Sequence, residues 1–291
     1  MENIENKVLG QQVKYPDHYQ PNVLVAVPRM YNRMQYNIDE QKLPFVGVDT
    51  WHCYELGFLT KFGLPVQGLL KITYPADSPN LVESKSLKLY LNSFNMEYVD
   101  FSVEESINGV KATVKKDLSN LIGAEVDVEY YRHGADNTNF DFVKYDVLEY
   151  GVEIDEIVFR EYNENPLLLE TFGEVGEMRV VSHLLRSNCK ITHQPDWGSV
   201  YIYIKGDDLP TRESLLKYIV SLRNENHFHE EICELIYLRI WERFHPEELC
   251  VTCLYTRRGG IDICPTRANK DSLLPKGLID AYTLTRKLLR Q

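Results

Sequence analysis

Residues 83–90, Glu-Ser-Lys-Ser-Leu-Lys-Leu-Tyr, recur in outline 128 positions later as residues 211–218, Thr-Arg-Glu-Ser-Leu-Leu-Lys-Tyr. Both stretches have a serine followed by an apolar residue and close on a tyrosine, a spacing typical of an amphipathic helix. The strand-like run 69–74 falls on 197–202 under the same shift. Because this strand aligns without a gap, we favour an internal duplication over chance similarity between two amphipathic helices.

The apolar pattern on either side of these stretches predicts alternating strands and helices. The predicted strands are 23–27, 69–74, 124–130, 199–204, 249–257 and 260–263. The predicted helices are 87–96, 212–224 and 229–244. A loop is predicted at 131–139, where Gly134, Asp136 and Asn137 cluster. The predicted organisation is an arm (1–20), a first module (21–139), a connecting segment (140–178) and a second module (179–291).

The composition is that of an ordinary globular protein, with 44% hydrophobic and 26% charged residues. Acidic residues outnumber basic ones by 43 to 32, which argues against nucleic-acid binding and favours a small-molecule substrate. No stretch approaches the ~18 apolar residues of a membrane span. Residues 1–5 lack the features of a signal peptide. We therefore expect a cytoplasmic protein whose six cysteines are reduced thiols.

Residues 187–198 hold the densest cluster of chemically capable side chains. They separate two apolar runs and include a proline, so we expect a loop, where catalytic groups often lie. Cys189 is a candidate nucleophile. Lys190 and His193 lie close enough along the chain to favour its thiolate, but we assign neither of them a role. Asp196 is a candidate proton donor, and the pair suits attack on an electrophilic carbon whose heteroatom must be protonated. The alternative is a structural cysteine in a turn.

Residues 226–231 read Asn-His-Phe-His-Glu-Glu and open the predicted helix 229–244. A carboxylate here suits two N–H donors of an amidine-like edge, such as that of a guanine-type base, through charge-assisted bonds. The alternative is capping of the helix N-terminus, where acidic side chains are favoured. The two histidines match no standard zinc spacing, so we expect no metal at this cluster.

Two further stretches have features of an anion site. Glu83 and Ser84 precede a predicted helix and Lys85 lies in its first turn, so backbone N–H groups and a lysine suit a cofactor phosphate. Residues 257–260, Arg-Arg-Gly-Gly, predict a tight turn whose arginines and close backbone approach suit the same group. The alternatives are a capped, solvated helix start and an ordinary hairpin turn with exposed arginines.

Cys250 and Cys253 suggest zinc, but the surrounding pattern argues against it. The sequence has no second CxxC pair, and alternation along 249–257 puts the two thiols on opposite faces of a strand. The sequence also has neither a GxGxxG nor a Walker pattern, so no Rossmann domain is expected.

Taken together, four stretches resemble the 7-cyano-7-deazaguanine reductases, the nitrile reductases of queuosine biosynthesis. They are residues 83–90, 187–198, 228–230 and 257–260. Their distribution over both halves is similar to the long, two-module form of that family. The resemblance implies an α+β fold of tandem tunnelling-fold modules, with antiparallel sheets backed by helices. It also implies a homodimer.

The resemblance implies a role for each motif residue. Cys189 would attack the nitrile carbon to form a thioimidate, Asp196 would protonate the nitrogen, and two NADPH would complete the reduction. The residues implied to hold the base are Val82, Glu83, Ser84, His229 and Glu230. Those implied to hold NADPH are Ser84, Lys85, Arg258 and Gly259. Because a proton donor must wait protonated, we expect a raised pKa for Asp196.

Other functions stay open on the sequence alone. A zinc-dependent tunnelling-fold hydrolase of purines or pterins would use Cys189 as a metal ligand. A purine-binding protein without catalysis would keep the glutamate anchor but would not need both Cys189 and Asp196. A thiol-dependent nitrilase would release ammonia and consume no NADPH.

Overall fold

The computed structural model describes residues 16, 18–132, 138–289 and 291. Most of the predicted arm, residues 1–15 and 17, lies outside the described residues, as do Gly134, Asp136 and Asn137 of the predicted loop. The α-helices of the described part are α1 (Met30–Gln35), α2 (Ser84–Asn92), α3 (Val103–Ile122), α4 (Arg212–Ser221), α5 (His229–Phe244) and α6 (Lys276–Ile279).

Strands of very different length accompany these helices. They are β1 (Ala26–Pro28), β2 (Val46–Leu59), β3 (Pro65–Pro75), β4 (Asn80–Val82), β5 (Asp127–Tyr131), β6 (Thr138–Asn139), β7 (Asp146–Val147), β8 (Gly176–Ser182), β9 (Arg186–Cys189), β10 (Pro195–Gly206), β11 (Asn226–His227), β12 (Glu248–Tyr255), β13 (Ile261–Ala268) and β14 (Leu284–Thr285). Short 3₁₀ helices lie at Pro21–Val23, Leu148–Gly151, Ile154–Glu156, Pro166–Leu168, Leu222–Asn224 and Asp271–Leu273.

One ten-stranded sheet runs through both halves in the order β11-β9-β10-β12-β13-β2-β3-β5, with β8 also paired to β10 and β7 paired to β8. Its long ladders are antiparallel. The halves join where β13 pairs with β2, from Ile261 opposite Cys53 to Ala268 opposite Val46. The predicted α+β class, antiparallel sheets backed by helices, is confirmed.

The two halves repeat one order of elements. β2, β3, α2, α3 and β5 in the first half correspond to β8, β10, α4, α5 and β12 in the second. α2 begins at Ser84 and α4 at Arg212, the offset of 128 seen in the sequence. This order is consistent with tandem tunnelling-fold modules, and the boundaries 21–139 and 179–291 stay a prediction.

Apolar side chains form one large core in each half, between the helices and one face of the sheet. In the first half α2 and α3 pack on β2, β3 and β5, with Tyr90 and Leu118 fully buried. In the second half α4 and α5 pack on β10 and β12, with Tyr218 and Ile236 fully buried. The opposite face of the sheet is covered by smaller clusters around Phe142 and Leu278. The helix starts therefore sit above a rigid sheet.

Several sequence predictions need correction. The strand predicted at 23–27 is wrong over most of its length, because Pro21 opens a 3₁₀ turn through Val23 and the strand begins at Ala26. The strand predicted at 124–130 begins only at Asp127.

Other predictions are confirmed. The helix 229–244 has its predicted bounds. Cys250 and Cys253 belong to separate apolar clusters on the two faces of β12. No helix among the described residues is long and apolar enough to cross a membrane.

Candidate active site

One cavity of about 210 Å³ collects side chains from both halves of the chain. Sequence-predicted site residues around it are Glu83, Ser84, Lys85, Cys189, Asp196, His229, Glu230, Arg258 and Gly259. Val82 is the exception: it ends β4 with its side chain buried in the first-half core. Nearly all predicted positions, spread over the 177 residues from Glu83 to Gly259, therefore line one cavity.

The nucleophile segment is a hairpin and not the long loop expected at 187–198. Cys189 is the last residue of β9, and Asp196 lies in β10 opposite Ser187. The reversal is closed by the Cys189 N–H donating to Gln194 O (2.8 Å) and the His193 N–H donating to Cys189 O (2.9 Å). The extra pairing of β9 with β11 lengthens the strand beyond what local composition indicates. Cys189 is therefore held on sheet backbone.

Asp196 is buried and lies between an arginine and a histidine side chain. Arg258 Nη1 donates to Oδ1, and His229 Nε2 lies 3.4 Å from Oδ2. Burial alone would raise the pKa of Asp196, but the hydrogen bonds and charges of His229 and Arg258 lower it below the ordinary value. The raised pKa expected from the sequence is therefore wrong, because sequence spacing did not reveal these two partners.

Glu230, near the start of α5, supplies a buried carboxylate to the cavity. Its side chain is 3% exposed, and Oε1 has no hydrogen-bond partner among the described residues. Burial, with a contribution from the charge of Asp49, raises the pKa of Glu230 to about 8. A buried, unpaired acceptor is costly unless a donor completes it, so an N–H donor from a bound molecule would be favourable at this atom.

A buried ion network lies next to Glu230. Asp49 accepts from Arg29 (2.5 Å) and Arg267 (2.8 Å). Glu234, one helical turn after Glu230, accepts from Arg267 (2.9 Å) and from Arg33 (2.8 Å). These side chains are at most 3% exposed. Sequence reasoning missed this network, because its members lie far apart along the chain and belong to no local motif.

Glu83 performs the capping role that was the alternative for its segment. Its carboxylate accepts from the backbone N–H groups of Lys85 (3.0 Å) and Ser86 (2.7 Å) at the start of α2. Those two N–H groups are therefore engaged by Glu83 and are not open to a phosphate, contrary to the expectation from sequence. Cationic side chains beside the cavity remain available to bind a phosphate.

Those side chains gather at the turn between β12 and β13. Gly259 and Gly260 have φ of 57° and 77°, a left-handed conformation that favours glycine. A Cβ at Gly259 would lie 3.2 Å from Lys88 Nζ. Lys85, Lys88 and Arg258 all line the cavity here, so the turn brings backbone and three cations to one side of it. This donor set fits the phosphates of a dinucleotide.

Comparisons with known proteins agree with this geometry. A family model described as nitrile reductase, 7-cyano-7-deazaguanine-reductase N-term, matches residues 15–130, and a model described as QueF-like protein matches residues 195–273. NADPH-dependent 7-cyano-7-deazaguanine reductase of Acinetobacter baumannii (strain ACICU) is 40% identical over 94% of this chain and 97% of its own length. The Rickettsia bellii (strain OSU 85-389) protein of that name is 41% identical over 99% of both chains.

The chain belongs to the 7-cyano-7-deazaguanine reductase family. The family recognised from the four motifs is thereby confirmed, as are its class, an oxidoreductase acting on a nitrile, and NADPH as its cofactor. A solved apo archaeosine synthase, a QueF-like protein, matches with TM-score 0.29 and 17% identity over 33% of this chain and 92% of its own. That likeness is too slight to bear on the argument.

Sequence reasoning missed several residues of the reductase cavity. They are Trp51, Lys88, Thr192, His227, Phe228, Ile261 and Ile263. Lys88, Thr192, His227 and Phe228 lie inside the motif stretches, so their neighbours were the available signal. The other three are apolar strand residues, which give no local sign of facing a site.

Zinc chemistry at Cys189 finds no support among the described residues. Among the described residues, the side chains that could together hold a metal are His52, Asp262 and Cys264. All three are buried, and none of them lines the cavity. Within this group Asp262 already accepts from His52 (2.7 Å) and from Lys287 (3.1 Å). The family membership and this geometry both favour the reductase over the zinc-dependent hydrolase.

Proposed function

We propose that this chain reduces the nitrile of 7-cyano-7-deazaguanine to the aminomethyl group of 7-aminomethyl-7-deazaguanine with two NADPH, in queuosine tRNA-modification biosynthesis. One observation carries the proposal: a cysteine nucleophile and a buried, unpaired glutamate oxygen line the same cavity. The glutamate suits the polar edge of the base, and the cysteine suits its electrophilic carbon.

Base binding rests on Glu230. Burial raises the pKa of Glu230 to about 8, and the N–H donors of the guanine-like edge favour its ionised form when the base enters. The carboxylate then accepts two N–H bonds, and its unpaired Oε1 gains a partner. We propose further contacts from His229, Glu83 and Ser84, which line the same cavity. The ring of His229 is held by Tyr255, with 3.9 Å between ring centroids, so it presents a fixed edge.

Chemistry begins at Cys189. The thiolate adds to the nitrile carbon, a C–S bond forms, and the nitrogen takes a proton from Asp196, which gives a thioimidate. Because the pKa of Asp196 is lowered in the free protein, Asp196 takes up this proton from solvent before it passes the proton to the nitrogen. When bound, NADPH supplies one hydride to the carbon in each of two reductions.

The remaining bond changes balance the reaction. After the first hydride arrives, the C–S bond breaks, the electron pair returns to Cys189 as thiolate, and an imine remains. After the second hydride the nitrogen takes another proton, so one nitrile consumes two hydrides and two protons. Cavity walls from Trp51, Phe228 and Ile263 limit water at the imine, which hydrolysis would destroy.

Cofactor binding is assigned to the cationic side of the cavity. We propose that Lys85, Arg258, Ser84 and the Gly259 backbone hold NADPH, with Lys88 as an additional phosphate contact. Arg258 also binds Asp196, so one guanidinium links the cofactor side to the proton donor.

We also propose that the protein acts as a cytoplasmic homodimer without a nucleic-acid partner. All six cysteines are free thiols, as a reducing compartment requires. Exposed apolar side chains offer a surface on which a second copy of the chain can pack. They are Phe62, Leu64, Met96, Tyr98 and Phe101. Light scattering is expected to give the mass of two chains, and the mass of one chain would contradict the dimer.

Mass spectrometry tests the covalent step directly. Incubation with 7-cyano-7-deazaguanine without NADPH is expected to raise the intact mass by the full mass of the substrate, because addition to a nitrile has no leaving group. The increase should map to Cys189 and be absent in Cys189→Ala. An unmodified wild-type protein that nevertheless reduces the substrate would overturn the covalent mechanism.

A further inference from the structure

His227 lies beside Cys189 on neighbouring strands. β11 pairs with β9 in parallel, and His227 is the registered partner of Cys189. Adjacent strands are about 4.8 Å apart, and registered side chains point to the same face of the sheet. Both residues line the one cavity, so the imidazole and the thiol share a wall of it.

Acidic and hydroxyl oxygens flank both ring nitrogens of His227. Nδ1 lies 3.1 Å from Glu231 Oε2, and Nε2 lies 2.9 Å from the Tyr36 hydroxyl and 3.6 Å from Glu225 Oε2. The side chain is 8% exposed. The imidazolium donates from both nitrogens, so it satisfies an environment of two carboxylates and a hydroxyl.

The surrounding charges favour the same state. Burial lowers the pKa of His227, but the hydrogen bonds and charges of Glu225 and Glu231 outweigh burial and raise it above the ordinary value. Lys190, from the turn after Cys189, opposes this through its bond to Glu231 (2.8 Å). These groups and Tyr36 face His227 from the elements packed around it. The two glutamates raise the pKa of His227 by more than burial and Lys190 lower it.

We propose that His227, held as an imidazolium by Glu225 and Glu231, is a positioning residue that stabilises the Cys189 thiolate. The proton lost by Cys189 leaves to solvent, because both ring nitrogens of His227 are already engaged by Glu231, Tyr36 and Glu225. A cation on the neighbouring strand favours the charged form of a thiol. The inference rests on the proposed role of Cys189 as nucleophile.

Alkylation by iodoacetamide as a function of pH tests the inference without substrate or cofactor. The other five cysteines are buried, so Cys189→Ser supplies the background rate. In His227→Gln the midpoint of the pH–rate curve is expected to rise by about one pH unit, or about tenfold in rate below both midpoints. Glu225→Gln should shift it in the same direction by less.

His193→Asn is the matched control. His193 is the other histidine of this hairpin, but its side chain is exposed and bonded to Asn226, and its φ of 54° is one that Asn tolerates. It should leave the midpoint unchanged. An equal shift in this control, or no shift in His227→Gln, overturns the proposal.

If His227→Gln does not fold, Glu225→Gln decides by itself, and an unmoved midpoint there is equally contradictory. The proposed reduction is judged separately by NADPH oxidation. An unshifted midpoint in an enzyme that still oxidises NADPH would therefore reject the role of His227 alone.

Discussion

The starts of α2 and α4 occupy equivalent places in the two halves and share most of their local structure. Glu83 and Thr211 each cap their helix by accepting from a backbone N–H three residues on. Later serines repeat another bond, with Ser93 Oγ donating to Tyr90 O (2.6 Å) and Ser221 Oγ donating to Tyr218 O (2.7 Å). Capping and side-chain-to-backbone bonds are thus common to both copies.

The two starts differ in what they face. Glu83 lies at the cavity with two lysines, whereas the Thr211 N–H donates to Glu170 O of the connecting segment. In the second half, the helix start that lines the cavity is that of α5, through His229 and Glu230. The comparison shows that the two halves share the structure of this helix start. The side chains that line the cavity instead come from α2 in the first half and from α5 in the second.

The largest loss of activity is expected from Asp196→Asn, which keeps the shape of the side chain but removes the proposed proton donor of the second half. We expect kcat for NADPH oxidation to fall by about 100- to 10 000-fold, as for loss of a general acid. Stopped-flow absorbance with saturating base measures it. A decrease of less than tenfold would show that the proton comes from elsewhere.

Glu230→Gln sharpens the role of the second-half helix start in base binding. Loss of charge-assisted bonds worth about 2 kcal/mol should raise KM for the base by about 30-fold. Initial rates over a range of base concentrations measure the change. Glu231→Gln is a poor control, because Glu231 is paired with both His227 and Lys190. Glu242→Gln is the better control, since Glu242 is half exposed at the far end of α5.

Glu230→Gln should also change how the free energy of unfolding depends on pH. The pKa of Glu230 is raised on folding, so the native state binds its proton more tightly than the unfolded state between the ordinary pKa and about 8. The contribution of Glu230 to the free energy of unfolding is full below the ordinary pKa and is lost as pH rises to about 8. The loss is at most about 1.4 kcal/mol per pH unit.

Urea unfolding at pH 5 and pH 8 checks this sign. Relative to the wild type, Glu230→Gln should be more stable at pH 8 than at pH 5, because Gln has no proton to lose. An unchanged difference between the two pH values would show that Glu230 does not titrate in this range.

The smallest expected effect comes from the paired caps themselves. Glu83→Ala and Thr211→Ala should each lower the free energy of unfolding by about 1 kcal/mol, because each removes one helix cap. Only Glu83→Ala should also reduce NADPH oxidation, since only that cap lines the cavity. Equal loss of activity in both variants would mean that the cap acts through stability alone.

The sequence predicted the repeat, helices at the positions of α2, α4 and α5, and nine of the sixteen residues that line the cavity, because periodicity and local motifs carry that information. It missed α3, the longest helix of the described residues. It placed Asp196 in a loop and expected a raised pKa. The strand pairing of β9 and the approach of Arg258 decide both points, and both depend on distant segments. His227 and the Asp49 network were missed for the same reason, since their partners come from other elements.

Absorbance at the NADPH band, with 7-cyano-7-deazaguanine and wild type beside Cys189→Ala, tests the central claim most directly. The account predicts two equivalents of NADPH oxidised per equivalent of base by the wild type and none by the variant, with both proteins folded. Oxidation by Cys189→Ala at the wild-type rate, or none by the wild type, would contradict it.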